Sequence, residues 1–164
     1  WMIRVSGYTP EESAQGLFLI YFSMLVSFLC WGYFVPKFSK NVNDAIKLLR
    51  IGAPLNLIVL AIIIYLGPKA GSIHWALFIV SSIFLSLTQP AVGMAFSLKN
   101  AGKALTSFNL LIFIGAFFIQ WVIGLIIDIG ISLNYSEIIS FKLAMLFVLI
   151  TSLISYFYFL LKNN

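Results

Sequence analysis

The chain has 164 residues, of which 62% are apolar or aromatic and only 9% are charged. Soluble domains carry about 25% charged residues, and ten basic plus five acidic side chains cannot clothe a water-soluble core of this size. That excludes an ordinary soluble enzyme, a nucleic-acid-binding module and a disordered tail, and it leaves a chain whose solvent is mostly lipid.

The net charge of +5 then reflects basic residues held at one membrane surface. Cys30 is the one cysteine and has no internal partner. The first residue is Trp1 rather than methionine, so the chain is expected to be a piece of a longer protein.

A hydrocarbon core of about 30 Å takes roughly 20 helical residues. Five stretches free of Asp, Glu, Lys and Arg come near or pass that length: 13–36, 51–68, 70–98, 104–127 and 143–161. Spans are placed at 13–36, 50–68, 72–97, 104–127 and 141–161, giving one all-α bundle of five transmembrane helices. Strands of a membrane barrel alternate apolar and polar residues. Segments such as LNLIVLAIII show no such alternation, which favours helices.

The first span is expected to start at Thr9-Pro10-Glu11-Glu12. Thr9 would be the N-cap and Pro10 the first helical residue, with two carboxylates facing the positive helix end. Pro36 is expected to stop it. Gly16, Ser23, Ser27 and Cys30 recur at intervals of seven, four and three and so share one face. Helix packing is the simpler explanation of that stripe. The second span carries one amide, Asn56.

In the third span Ser82, Ser86, Gln89, Gly93 and Ser97 lie along one face. Pro90 cannot donate to the carbonyl of Ser86, so a bend or an open backbone is expected there. Backbone of that kind is tolerated at membrane depth where it is buried in protein or lines water. The serines read more simply as a packing seam, whereas Gln89 is equally open to solute contact.

The fourth span holds Asn109 and Gln120. Eleven residues separate them, about 16 Å and three turns, so they point the same way. An amide in oil is costly without a partner. Both are expected to face the protein interior or an aqueous cleft, as interhelical hydrogen bonds or as solute contacts.

Five spans place the chain ends on opposite sides. One side gathers Lys37, Lys40, Lys47, Arg50, Lys99, Lys103 and Lys162, and the other only Arg4, Lys69 and Lys142. The positive-inside rule makes the first group cytoplasmic, with the N-terminal end outside and the C-terminus inside a plasma (inner) membrane. No ionisable residue sits mid-span, so no proton relay is legible. The scattered His, Cys and acids form neither a metal site nor a nucleophile constellation. No cofactor and no enzymatic activity are expected.

The fourth span and its lead-in, GKALTSFNLLIFIGAFFIQWVIGLIID, resemble the eleventh transmembrane helix of the major facilitator superfamily. The matching positions are Gly102-Lys103-Ala104, Asn109, Gly115-Ala116, Gln120, and Gly124 with Asp128. The N-terminal stretch is similar to that family's eighth helix and the link before it. The loop after it resembles a weaker copy of the Gly-x-x-x-Asp-Arg-x-Gly-Arg signature. Gly32, Lys37 and Lys40 match there, while Pro36 replaces the acid and Ser39 the second glycine.

The resemblance implies helices eight to twelve of a twelve-helix secondary transporter, whose C-terminal bundle rocks against an N-terminal half around a midplane site. It implies a small polar solute as cargo, the bilayer and the missing half as partners, and no nucleic acid. Ser27, Gln89, Asn109 and Gln120 would then line the pathway, the second and fifth spans with Asn56 and Ser155 would mostly support, and Gly32, Pro90, Gly93, Gly115 and Gly124 would mark helix crossings or hinges. A non-transporting membrane scaffold or assembly subunit is the alternative expectation. A membrane-embedded enzyme would need an acid or histidine cluster that the sequence lacks.

Overall fold

The computed structural model describes residues 1–163, and every regular element among them is helical. In chain order these are α1 (Pro10–Phe38), α2 (Val42–Leu66), a 3₁₀ turn (Gly67–Lys69), α3 (Ser72–Ser82), a 3₁₀ segment (Ile83–Leu87), α4 (Thr88–Ala95), α5 (Leu98–Ser132) and α6 (Glu137–Lys162). α3, the 3₁₀ segment and α4 run on as one rod. Among the described residues there are thus five rods long and apolar enough to cross a membrane.

The helix starts follow from short-range chemistry. Thr9 accepts from the Glu12 amide at 3.2 Å, and the Glu12 carboxylate accepts from the Thr9 amide at 2.8 Å. This reciprocal box satisfies two otherwise orphaned donors. Asn41 caps α2 by accepting from the Asp44 amide at 2.9 Å, so α2 begins at Val42 rather than near residue 50. Lys47 and Arg50 are helical because the cap precedes them, and a helix can extend into the polar headgroup layer. α5 likewise overruns the expected 104–127 at both ends. Pro36 does not stop α1, which continues to Phe38; a proline in the last turn removes only one internal bond.

α2 is the hub. It packs against α3, the 3₁₀ segment and α4 on one side and α6 on the other, while α1 lies along α3, and α5 lies against α4 and α6. Its buried positions Ala45, Leu49, Gly52, Asn56, Leu60 and Ile63 recur every three or four residues, one continuous stripe. Gly52 lets the 3₁₀ segment come close: a Cβ there would overlap the Phe84 ring. Phe84 also meets Trp31 of α1 edge-on at 4.8 Å between ring centroids, locking three elements together. At the other end of the bundle, a Cβ on Gly130 would crowd Ser140, which draws α5 and α6 into a tight hairpin.

Asn56 ties α2 to α3. Its Nδ2 donates to the Phe78 carbonyl at 2.9 Å and to Ser81 Oγ at 3.1 Å. Interhelical bonds in membrane proteins average about 0.6 kcal/mol and reach about 1.7. Asn56→Leu, similar in size, is therefore expected to cost about 1 kcal/mol in reversible unfolding from mixed micelles. An unchanged midpoint would contradict the anchoring role.

The rest of the surface is apolar and open. The described chain exposes 10656 Å², against about 8,200 Å² for a soluble monomer of this mass. Phe18, Phe113 and Phe117 expose 71%, 73% and 74% of their surface, and the most apolar stretches of α1 and α5 contain no buried residue. Water is the wrong solvent for such faces. Among the described residues the single ion pair is Arg4–Glu137, at 3.5 Å and well exposed, so charge pairing contributes little. The chain is an all-helical, multi-pass membrane protein.

Candidate functional site

The third rod explains the fate of its hydroxyls. Within the 3₁₀ segment the amide of Ile83 bonds the Val80 carbonyl, not that of Ile79 four residues back. The freed Ile79 carbonyl accepts from Ser82 Oγ at 2.7 Å. Ser81 donates to Phe78, Ser86 to Ile83 and Thr88 to Leu85, each three residues back and at 2.7–2.8 Å. Ser82 and Ser86 therefore bond their own backbone and do not form a polar wall, and Ser97 lies past the end of α4, as the N-cap residue of α5. The irregular stretch lies just before Pro90, whose ring crowds the carbonyl of Ser86 and favours rewinding of the preceding turn.

Past that turn, α4 carries Gln89 to α5. Gln89 Nε2 donates to Asn109 Oδ1 at 3.1 Å, on an exposed face. Two of the four residues expected along the pathway thus meet side chain to side chain. Their geometry leaves both Asn109 Nδ2 hydrogens, the second Gln89 Nε2 hydrogen and Gln89 Oε1 free for a further partner. Measured from the middle of α5, Asn109 lies ~9 Å to one side and Gln120 ~8 Å to the other. With the charge-free run 104–127, which is centred on the same point, taken as the stretch in hydrocarbon, both fall inside a half-thickness of about 15 Å. Gln120 is also exposed and, by its spacing, extends the same side of α5.

Ser27 is not brought to this face. It is half-buried on α1, which packs along α3 and the 3₁₀ segment. Gly93 does lie at the α4–α5 contact, with the position of a Cβ 3.5 Å from Leu105 Cδ1. A Cβ on Gly32, Gly115 or Gly124 would meet no atom within 4 Å. Those three do not mark crossings between helices of this chain; Gly32 and Gly115 are exposed and Gly124 is half-buried. The crossings fall instead at Gly16, Gly52 and Gly130. Sequence reasoning misses Gly52 and Gly130; the apolar run around Gly52 gives no polar stripe to draw attention to it.

At the α1–α2 link, the Lys37 ammonium sits 3.8 Å from the centre of the Tyr33 ring. The Lys40 backbone amide donates to Asp44 Oδ2 at 3.1 Å. The cation–π contact lies within the last turns of α1, and the link itself is held by the capping carboxylate of Asp44.

A separate cavity of about 480 Å³ opens between α2, the 3₁₀ segment, α4, α5 and α6, with Asn56 and Ser152 among its lining residues. No group of three or more His, Cys, Asp or Glu gathers among the described residues.

Comparison with protein-family models, curated proteins and solved structures finds no match to this chain.

Proposed function

We propose that the chain is part of the C-terminal half of a secondary transporter, built like the major facilitator superfamily, that moves a small polar solute by alternating access. The observation that carries this reading is the Gln89–Asn109 pair, exposed at a depth where lipid would surround it. Unmet amide hydrogens in oil cost several kcal/mol. A wet cleft, completed by the rest of the protein, removes that cost and gives the free donors and acceptor a solute to hold. Gln120 extends the polar track toward the outer surface. The basic residues at the α1–α2 link and near the start of α5 support a cytoplasmic position for those ends.

The open space over Gly115 and Gly124 favours a second reading, in which a partner helix lies close against α5 and takes up the free amides. The chain would then be an assembly subunit or scaffold.

Uptake of labelled solutes by the full-length protein in proteoliposomes separates the two. Solute accumulation driven by an ion gradient is expected. Solute movement no faster than through protein-free vesicles, across neutral polar classes, contradicts transport. Orientation is checked by single cysteines in a Cys30→Ser background. Lys40→Cys is expected to react with a membrane-impermeant thiol reagent only after the cytoplasmic side is opened, and Lys69→Cys without opening. The reverse pattern overturns the assignment.

A further inference from the structure

The 480 Å³ cavity is distinct from the Gln89–Asn109 face. Neither amide lines it, and its walls are Leu49, Ala53, Asn56, Leu85, Ile119, Ser152 and their neighbours. Its size falls in the range of small-molecule sites, about 300–1,000 Å³. The space has a structural cause. α5 and α6 are drawn together where Gly130 meets Ser140, and away from that point the wall positions Ala53, Ser152 and Ser155 are small.

No charged side chain lines it. An ion entering would lose its hydration without a counter-charge, so an ionic ligand is disfavoured. Two polar groups nonetheless remain uncommitted. Asn56 uses only its Nδ2, toward Phe78 and Ser81, which leaves Oδ1 as an acceptor. On α6, Thr151 donates to the carbonyls of Phe147 and Val148, and Ser155 to that of Thr151. Ser152 Oγ makes no hydrogen bond among the described residues. The other polar lining residues, Thr88, Ser155 and Tyr156, already donate their hydroxyls to the carbonyls of Leu85, Thr151 and Arg50, so the free acceptor and the free hydroxyl, in an otherwise apolar lining, match a ligand with an apolar body and a single hydroxyl.

We propose that this cavity is a binding site for a small neutral amphiphile, whose hydroxyl donates to Asn56 Oδ1 and accepts from Ser152 while its apolar body lies against Leu85 and Ile119. The proposal does not depend on transport. A lipid tail is the competing occupant, but it would leave both polar groups unmet.

The test uses the full chain in lipid nanodiscs and 4-hydroxybenzophenone, a photoreactive neutral phenol, with adducts located by peptide mass spectrometry. Saturable adducts are expected on the segments bearing Ala53, Ile119 and Ser152. An excess of unreactive 4-benzylphenol should reduce them at least tenfold, whereas diphenylmethane, lacking the hydroxyl, should not. Ala53→Leu combined with Ser152→Leu fills the space and should abolish these adducts while the thermal midpoint is kept. The competition arm needs no variant, so a misfolded double variant leaves the test intact. Adducts spread over the outward faces of α1 and α5 without saturation would overturn the proposal, as would equal competition by diphenylmethane, the outcome expected of a lipid-tail groove.

Discussion

Gly52→Leu is expected to destabilise the bundle by about 3 kcal/mol, well beyond the loss of the Asn56 hydrogen bonds. Even one added carbon at this position would overlap the Phe84 ring, and overpacking a filled interior typically costs 1–3 kcal/mol, occasionally more. Leucine adds three further carbons. Gly52 lies on the hub helix at its contact with the 3₁₀ segment, and Phe84 also carries the Trp31 contact. Displacing the ring therefore loosens α1 as well as α2. Reversible unfolding in mixed micelles gives the measurement. Phe84→Ala in the same chain should recover part of the loss, because the two side chains would compete for one volume. Gly115→Leu is the matched control. Space over Gly115 is open, and leucine has the better helix propensity, so the midpoint should hold or rise. Equal losses at Gly52 and Gly115 would contradict the packing.

The second large effect concerns the amide pair. If the protein transports a solute as proposed, Gln89→Ala and Asn109→Leu are each expected to lower its uptake roughly tenfold, the equivalent of about 1.4 kcal/mol. On the proposed reading each amide would meet the solute, and each holds the other in place through the 3.1 Å bond. Losing either therefore disturbs both, and the double variant should fall well short of a hundredfold loss. Membrane abundance and thermal midpoint should stay close to those of the unaltered protein, since both residues are exposed. Unchanged uptake and unchanged solute affinity in both variants would remove them from the pathway.

Legibility in the sequence differs by level. The five spans are legible, because a long run without charge has few interpretations once the polar shell is too small. So is the N-cap at Thr9, although the return bond from the Thr9 amide to the Glu12 carboxylate is seen only in the structure. Span ends are less so. Charge-free runs report the hydrocarbon boundary, while helices such as α2 and α5 continue into the headgroup layer until a cap or turn ends them.

The serines of the third rod are legible as a stripe but not in their role. Whether a hydroxyl bonds its own helix or a neighbour depends on whether the backbone is wound as α or 3₁₀. Asn56 reads as a supporting residue, and its bonds to Phe78 and Ser81 give that support a mechanism. Gly52 escapes notice, since a glycine becomes informative only when the ring opposite it is known. The meeting of Gln89 with Asn109 joins residues twenty apart, and helical spacing on either rod alone could not supply it.

The central claim is that the amides of α4 and α5 face water at membrane depth while the apolar face of α1 faces lipid. Single cysteines at Asn109, Gln120, Leu29 and Phe18, in a Cys30→Ser background of the full-length protein, test it most directly. In intact membranes, Asn109→Cys and Gln120→Cys should react with a small charged methanethiosulfonate reagent, while Leu29→Cys and Phe18→Cys should stay unreactive. Amide positions that stay unreactive toward the charged reagent, and whose fluorophores, attached with a membrane-permeant thiol label, are quenched by brominated lipid tails, would contradict the account.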